Sequence, residues 1–326
     1  MTLVLDDATV RAVFEWKPAI EALRRAYGAD ANPGRVPSRV LARGGAGLLR
    51  TLSGVPGTGP MGTKTIAGSL GEKRMFSYLV ALFDPATAEL TALLDGNSIT
   101  GYRTAATSAL AADLLCPTGD LDVAVIGSGF EARKHVEALA AVRTLSSVRV
   151  FSPRLESRER FAADVADKAL SVEAAASPEE AVSGAALVVC AARSYNETPT
   201  LAGGSLRPGA TVVSIGSTLR EQREVDVETI RRADIVIADM VEEVMHDTGD
   251  LLAAALEDID ISERVSSLAD LVAGRAAGRT HADQIVLYKS VGSAVQDLAV
   301  AGMCVEAAHK AGIGVPFPIH LQPVEK

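Results

Sequence analysis

The sequence predicts an α/β protein built from a parallel-sheet domain and a second, discontinuous α+β domain. Three observations predict it. Between about 119 and 304, short apolar runs (VAVIG, VRVFS, LVVCAA, TVVSIG, IVIAD) alternate with helical stretches, the pattern of parallel strands covered on both faces by crossover helices. The run DVAVIGSGFEARKHVEAL sets a glycine-rich turn between a strand and a helix. Residues 1 to about 100 instead read as an α+β unit with an antiparallel sheet, and a last helix over about 291–312 sits where the chain can return to it.

The elements follow in chain order. TLVL is a short strand, and a helix spans about Lys17 to Gly28. Residues 34–58, rich in Gly, Pro and Arg, alternate loops with short strands such as SRVLA and GLLRTL. GTKTIAG, YLVALFD and LTALLD are three strands of an antiparallel sheet, with DPATAEL as a hairpin connection opened by Asp-Pro. The helix ITGYRTAATSALAADLL leads to a break at PTGD, after which the strand–helix alternation begins. In the last long helix, Val291, Val295, Leu298, Cys304 and Val305 recur at helical spacing.

Size and composition bound the function. A chain of 326 residues has room for two domains and a sizeable core, and 48% hydrophobic with 22% charged residues is ordinary for a globular enzyme. The net charge of −9, with no Lys/Arg-rich block, argues against a nucleic-acid partner. The N-terminus lacks a basic segment followed by a long apolar one, and no run of 18 apolar residues occurs, so neither a secretory signal nor a membrane span is expected. Three scattered cysteines (Cys116, Cys190, Cys304) read as reduced thiols. A soluble, cytoplasmic protein is expected. The five histidines (His135, His246, His281, His309, His320) show no metal-ligand spacing, so no metal is expected.

The strand–turn–helix at 122–139 carries the chemistry. Gly127-Ser128-Gly129-Phe130-Glu131-Ala132 follows a strand and opens a helix, the context in which G-x-G-x-x-G/A marks a Rossmann-type dinucleotide site. Gly127 permits the turn, Gly129 lets the backbone approach a pyrophosphate, and Ala132 allows close helix–strand packing. The helix N-terminus offers free N–H groups to the phosphates. The tip of the next strand reads VRVFSPRLESR. It has no acid to hold a ribose 2′-hydroxyl, but Ser152, Arg154 and Arg158 are placed for a 2′-phosphate, so NADP(H) is favoured and NAD(H) is the alternative. Thr104, Ala191, Ala192, Ser290 and Val291 complete the expected cofactor-binding set.

Together, LLDGNSITGYRTAATSALAADLL, the nucleotide fingerprint and IVLYKSVGSAVQDLAVA resemble the ornithine cyclodeaminase/mu-crystallin family, in order and spacing along nearly the whole chain. The resemblance implies a Rossmann-type domain over 119–304 and a substrate-binding and dimerisation domain over 1–118 and 305–326, hence a homodimer. It also implies the substrate residues: Arg39 in VPSRV, Lys64 in GTKTIAG and Arg103 in the RTAA motif. Their chemistry suits a small imino or amino acid. Guanidinium groups grip a carboxylate by paired hydrogen bonds, and a buried lysine can polarise an imine or relay a proton. Asp297, in the SVGSAVQDLAVA helix, is a candidate to line the site or anchor a network beside it. His135 reads as structural, and Asp247 and Asp250 as members of a turn and helix cap.

One departure from the family pattern bears on activity. Cyclodeaminases of the family place an essential aspartate after the fifth strand. Here the turn reads Ser214-Ile215-Gly216-Ser217-Thr218, with Thr218 at that position and no carboxylate before Glu221. A hydroxyl without an activating partner is no general base near neutral pH. The expected activity is therefore NAD(P)H-dependent reduction of small 2-imino acids or cyclic ketimines, reversible as amino acid dehydrogenation, with Lys64 and Arg103 catalytic. The alternatives are ornithine cyclodeamination to proline and ammonia, and nucleotide or small-ligand binding without turnover.

Overall fold

A computed structural model describes residues 2–29, 32–166, 170–192, 198–319 and 321–325. The chain forms two compact units, Met1–Arg103 with Ser293–Lys326, and Thr104–Gly292.

The first unit opens with β1 (Leu3–Leu5) and α1 (Asp7–Val13), whose N-cap Asp6 accepts the Thr9 N–H at 2.8 Å. In α2 (Trp16–Gly28), Ala19, Ile20, Leu23 and Tyr27 are buried at helical spacing. Five strands follow: β2 (Val40–Gly44), β3 (Gly47–Gly54), β4 (Met61–Ser69), β5 (Met75–Phe83) and β6 (Leu90–Asp95). Between β5 and β6, Asp84 Oδ1 accepts the N–H groups of Ala86 (2.8 Å) and Thr87 (2.9 Å) and holds the expected hairpin turn. The helix α3 (Asn97–Leu115) is buried along most of its length, and its run of alanines and small polar residues suits close packing on every side.

The second unit alternates as predicted. It comprises β7 (Leu121–Ile126), α4 (Phe130–Val142), β8 (Leu145–Phe151), α5 (Leu155–Val165), β9 (Ser171–Ala174), α6 (Pro178–Val182), β10 (Leu187–Cys190), β11 (Thr211–Ser214), α7 (Val227–Arg232), β12 (Ile235–Ala238), α8 (Val241–Asp247), α9 (Gly249–Leu256), β13 (Val265–Ser267), α10 (Leu268–Val272) and β14 (Val286–Lys289). Its eight strands are all parallel, in the order β13-β12-β14-β11-β10-β7-β8-β9. β10, β11 and β14 are buried at every position, as strands covered on both faces must be. The order reverses between β7 and β10, and a crevice at such a switch point is where open α/β sheets bind ligands. Three of these strands escape the sequence prediction. β9 and β13 are short and half exposed, and β14 lies inside a motif that carries no turn signal of its own.

The chain ends with α11 (Ala294–Ala311) and β15 (Val315–Pro316), both in the first unit. Strand order there is β15-β1-β6-β5-β4-β3-β2, antiparallel except for β1 with β6. The buried side of α11 (Ala294, Leu298, Ala301, Cys304, Ala308) lies against α2, β3, β4 and β5. The divisions fall at Arg103/Thr104 and Gly292/Ser293, whereas the sequence pattern places them at 118/119 and 304/305. Composition marks only the break after α3; the 304/305 division falls inside α11, which packing assigns whole to the first unit.

Candidate active site

Alternation along β4 turns Gly62 and Lys64 to the buried face of the sheet. Lys64 is 1% exposed and Asp297, on α11, is 0% exposed. Lys64 Nζ donates to Asp297 Oδ1 at 2.7 Å, and Arg103 Nε lies 3.1 Å from the same oxygen. Arg103 Nη1 also donates to Gln296 Oε1, Gln296 Nε2 donates to Tyr27 Oη at 2.9 Å, and Tyr27 Oη lies 3.4 Å from Ser293 Oγ. The resemblance pointed to Arg39, Lys64 and Arg103, and Asp297 was a separate candidate for lining the site or anchoring a network. Tyr27, Ser293 and Gln296 were missed, since they carry no motif and Tyr27 reads as an ordinary core residue of α2.

Two cations thus share one carboxylate in a water-poor setting. Burial is the main force lowering the Lys64 pKa to about 8. The Asp297 carboxylate raises it, and the charges of Arg103 and then Arg39 lower it further. Arg39, half-buried just ahead of β2, therefore belongs to the same electrostatic cluster. Asp297 Oδ2 has no hydrogen-bond partner among the described residues. Guanidinium and ammonium groups brought together in this way suit a small carboxylate.

In the second unit Gly127 has φ 117°. A Cβ there would sit 2.7 Å from the Ala191 carbonyl oxygen, so only glycine lets β7 end this close to β10. Gly129 is the N-cap of α4 and offers no side-chain cap, and a Cβ at Gly129 would meet open space. The backbone at the start of α4 can thus be approached closely, as a phosphate at a helix N-terminus requires. Ala132 is fully buried, as close helix–strand packing requires. Phe130 is half exposed beneath Lys134, and the Glu131 carbonyl accepts from His135 Nδ1 at 2.7 Å. His135 Nε2 lies 3.0 Å from Ser108 Oγ, and burial depresses its pKa to about 4, so the ring is a neutral tie between α4 and α3.

At the tip of β8, Ser128 Oγ donates to Ser152 Oγ at 2.9 Å, and Arg154 is exposed at the start of α5. Arg158 is differently placed from the expected phosphate contact. It donates to the carbonyls of Ala175 (2.5 Å) and Ala176 (3.2 Å), and its guanidinium lies 5.2 Å from the Phe151 ring centroid. Ala191 and Ala192 follow β10, and Thr104 is buried in α3. Ser290 Oγ donates to Asp239 Oδ2 at 2.6 Å and the Val291 N–H to Asp239 Oδ1 at 2.9 Å, so both are fixed by the end of β12.

The turn after β11 is also braced. The Thr218 N–H donates to Gln222 Oε1 at 3.0 Å. A carboxylate does reach this turn, from Glu224 beneath it: Oε2 accepts the Gly216 N–H and the Ser214 hydroxyl, each at 2.7 Å. Asp250 departs from the expected turn and helix cap, being buried and paired with Lys289 at 2.8 Å, whereas Asp247 forms an exposed pair with Arg220 at 2.8 Å. Among the described residues, which exclude His320, no three His, Cys, Asp or Glu side chains are grouped to hold a metal, and no helix is long and apolar enough to cross a membrane.

Residues 62–312 match the model of the ornithine cyclodeaminase/mu-crystallin family. The chain belongs to this family. The family match takes in Lys64, Arg103, the nucleotide turn and α11, and Arg39 lies outside it. Over 222 residues the chain is 34% identical to the ketimine reductase mu-crystallin of Mus musculus, covering 68% of this chain and 66% of that protein, just under two thirds of its length. Among solved structures it resembles Thermococcus litoralis Δ1-pyrroline-2-carboxylate reductase in complex with NADH and L-proline (TM-score 0.87, 27% identity, 97% of this chain and 100% of that one). It also resembles a probable ornithine cyclodeaminase from Bordetella pertussis Tohama I (TM-score 0.85, 33% identity, 97% and 100%). The expected family and the expected α/β architecture are thereby established.

The depressed Lys64 pKa has a consequence for stability. Between pH 8 and 10.5 the unfolded chain keeps a proton that folded Lys64 has released, so this group's contribution to stability rises with pH across that window. Below pH 8 both states hold the proton and the full burial penalty applies. Urea unfolding of wild type and Lys64→Met from pH 7.5 to 10.5 should show wild type gaining stability relative to the variant as pH rises. A pH-independent difference would mean that Lys64 titrates normally.

Proposed function

We propose that the protein is an NADPH-dependent reductase of small 2-imino acids or cyclic ketimines, reversible as an amino acid dehydrogenase. The observation that carries this reading is the buried Lys64–Arg103–Asp297 cluster, with two cations to one carboxylate and a lysine whose pKa is brought to about 8. Arg103 and Arg39 hold the substrate carboxylate. A nicotinamide dinucleotide held at the Gly127–Ala132 turn would supply the hydride for the reduction. Lys64, an ammonium at neutral pH, protonates the imine nitrogen so that the carbon accepts hydride, and Asp297 keeps it aimed and charged. The relatives named as ketimine and pyrroline-2-carboxylate reductases support this chemistry.

Gly127, Ser128, Gly129, Phe130, Glu131 and Ala132 hold the pyrophosphate, and Ala191, Ala192, Thr104, Ser290 and Val291 complete the site. Ser152 and Arg154 favour NADP(H), since no acid stands at the tip of β8 to repel a 2′-phosphate. Ornithine cyclodeamination is the weaker reading despite the resemblance to a probable cyclodeaminase. Thr218 offers only a hydroxyl, and the nearby Glu224 carboxylate is occupied by backbone and hydroxyl donors.

A homodimer is supported by the sheet of the first unit. By register, Val40, Leu49, Leu79 and Met75 share the face opposite Lys64, and all four are exposed. An apolar face of this kind fits a second copy of the chain. Three unpaired buried cysteines fit a reducing, cytoplasmic setting.

Three outcomes are expected. Cyclic ketimines and 2-imino acids should be reduced with NADPH oxidation, with kcat/KM falling as pH rises through about 8 as Lys64 loses its proton, and Lys64→Met should cost roughly 10²–10⁴-fold. Proline and ammonia formed from ornithine with catalytic NAD would favour the cyclodeaminase instead. Arg154→Ala should raise KM for NADPH about tenfold and leave that for NADH unchanged; equal effects on both would remove Arg154 from 2′-phosphate recognition. Light scattering should show a dimer that the double variant Leu49→Glu/Leu79→Glu converts to a folded monomer, and a monomeric wild type at micromolar concentration would refute the dimer.

A further inference from the structure

A second buried charged cluster lies wholly within the second unit, and the chemistry above does not use it. Glu224, Asp250 and Lys289 are all 0% exposed. Glu224 Oε2 accepts the Gly216 N–H and the Ser214 hydroxyl (2.7 Å each), and Oε1 accepts the Ala192 N–H at 3.1 Å. Lys289 Nζ donates to Ser214 Oγ at 2.9 Å and pairs with Asp250 Oδ2 at 2.8 Å. Asp250 Oδ1 accepts the N–H groups of Glu224 (2.7 Å) and Val225 (3.1 Å), fixing the backbone from which the Glu224 side chain projects.

One carboxylate thus ties together the ends of two neighbouring parallel strands, at Ala192 after β10 and Gly216 after β11. The fit is tight. A Cβ on Gly216 would lie 2.3 Å from Glu224 Oε1 and 2.5 Å from the Ala192 carbonyl oxygen. The next residue back, Ala191, is the one whose carbonyl presses on Gly127. The Glu224 brace therefore sets the far wall of the crevice that opens at the β7/β10 switch point. On the proposed reading, Ser152 and Arg154 would take the adenylate half of a dinucleotide at the tip of β8, on the near side. A fold made of two mononucleotide-binding halves leaves the nicotinamide half for the strand ends of β10 and β11.

We infer that Glu224 is a positioning residue for the nicotinamide half of the dinucleotide, acting through the Ala192 and Gly216 backbone rather than by touching the cofactor. This inference rests on the reading of the second unit as a dinucleotide site. The brace is also open to protonation. Burial pushes the Glu224 carboxyl up to about 7, with the charge of Asp250 on α9 adding to that. Lys289 on β14, the Ser214 hydroxyl and the Gly216 N–H oppose it. Among the described residues, Cys190 on β10 is a further titratable neighbour; its thiol is pushed well up by burial and is neutral. Only the ionised carboxylate accepts all three donors without placing a proton among them. The brace therefore loosens as pH falls below about 7.

The test compares two ligands by calorimetry: NADPH, and 2′-phospho-ADP-ribose, which has the adenylate half and the same 2′-phosphate but no nicotinamide. Glu224→Gln keeps the shape but turns an amide N–H toward a backbone N–H. It should weaken NADPH about tenfold and leave 2′-phospho-ADP-ribose within about twofold. In wild type, lowering the pH from 8 to 6 should weaken NADPH relative to 2′-phospho-ADP-ribose, a measurement that needs no variant to fold. Equal weakening of both ligands by the variant, or a wild-type ratio unchanged by pH, would overturn the positioning role. Failure of wild type to bind NADPH, 2′-phospho-ADP-ribose and NADH alike would overturn the dinucleotide reading itself.

Discussion

The buried ion pair between Lys64 and Asp297 is the contact on which the first unit's chemistry depends. Removing two such charges from water is costly, and their attraction repays it only when geometry is good and the remaining polar atoms find partners. Here the repayment is partial. One Asp297 oxygen serves both Lys64 and Arg103, while its other oxygen finds no hydrogen-bond partner among the described residues. A protein gains no stability from such an arrangement. On the proposed function, it gains a place where an incoming carboxylate completes a set of charges already held in position. Gln296 and Tyr27 make the same point from the neutral side, because they hold the Arg103 guanidinium without cancelling its charge.

The second unit solves a different problem with similar parts. Glu224, Asp250 and Lys289 are balanced more closely, two carboxylates to one ammonium with one carboxyl near its titration point, and they point at backbone rather than at open space. Their work is geometric. Parallel strands end in loops whose N–H groups have lost their ladder partners, and a buried carboxylate satisfies several at once. Where the first cluster leaves charge available, the second uses charge to fix distances.

Much of this was legible in the sequence, for definite reasons. The glycine turn at 127–132 announces itself because its residues are adjacent and each has a local geometric task. Five of the eight parallel strands are visible as runs of valine and isoleucine. Lys64 and Arg103 emerge only through family resemblance, since a single lysine or arginine has no period or spacing of its own. Tyr27, Gln296, Glu224 and Lys289 could not be found this way. Each acquires its role from a partner brought close by the fold, and Glu224 sits six residues beyond the position where the family pattern directs attention. Asp250 was misread because an aspartate at the start of a helix is ordinarily a cap, and only burial beside Lys289 shows otherwise.

Asp297 lies 233 residues after Lys64 in the chain. The order of synthesis therefore separates the two units. Residues 104–292 are complete before α11 exists, so the nucleotide-type sheet can close while the first sheet still lacks the helix that covers β3, β4 and β5. Until α11 arrives, Lys64 faces water and keeps an ordinary amine. The residue is made early, but the carboxylate it pairs with comes from a contact of very high sequence separation. A partly made or C-terminally shortened chain would carry a nucleotide fold without the tuned lysine.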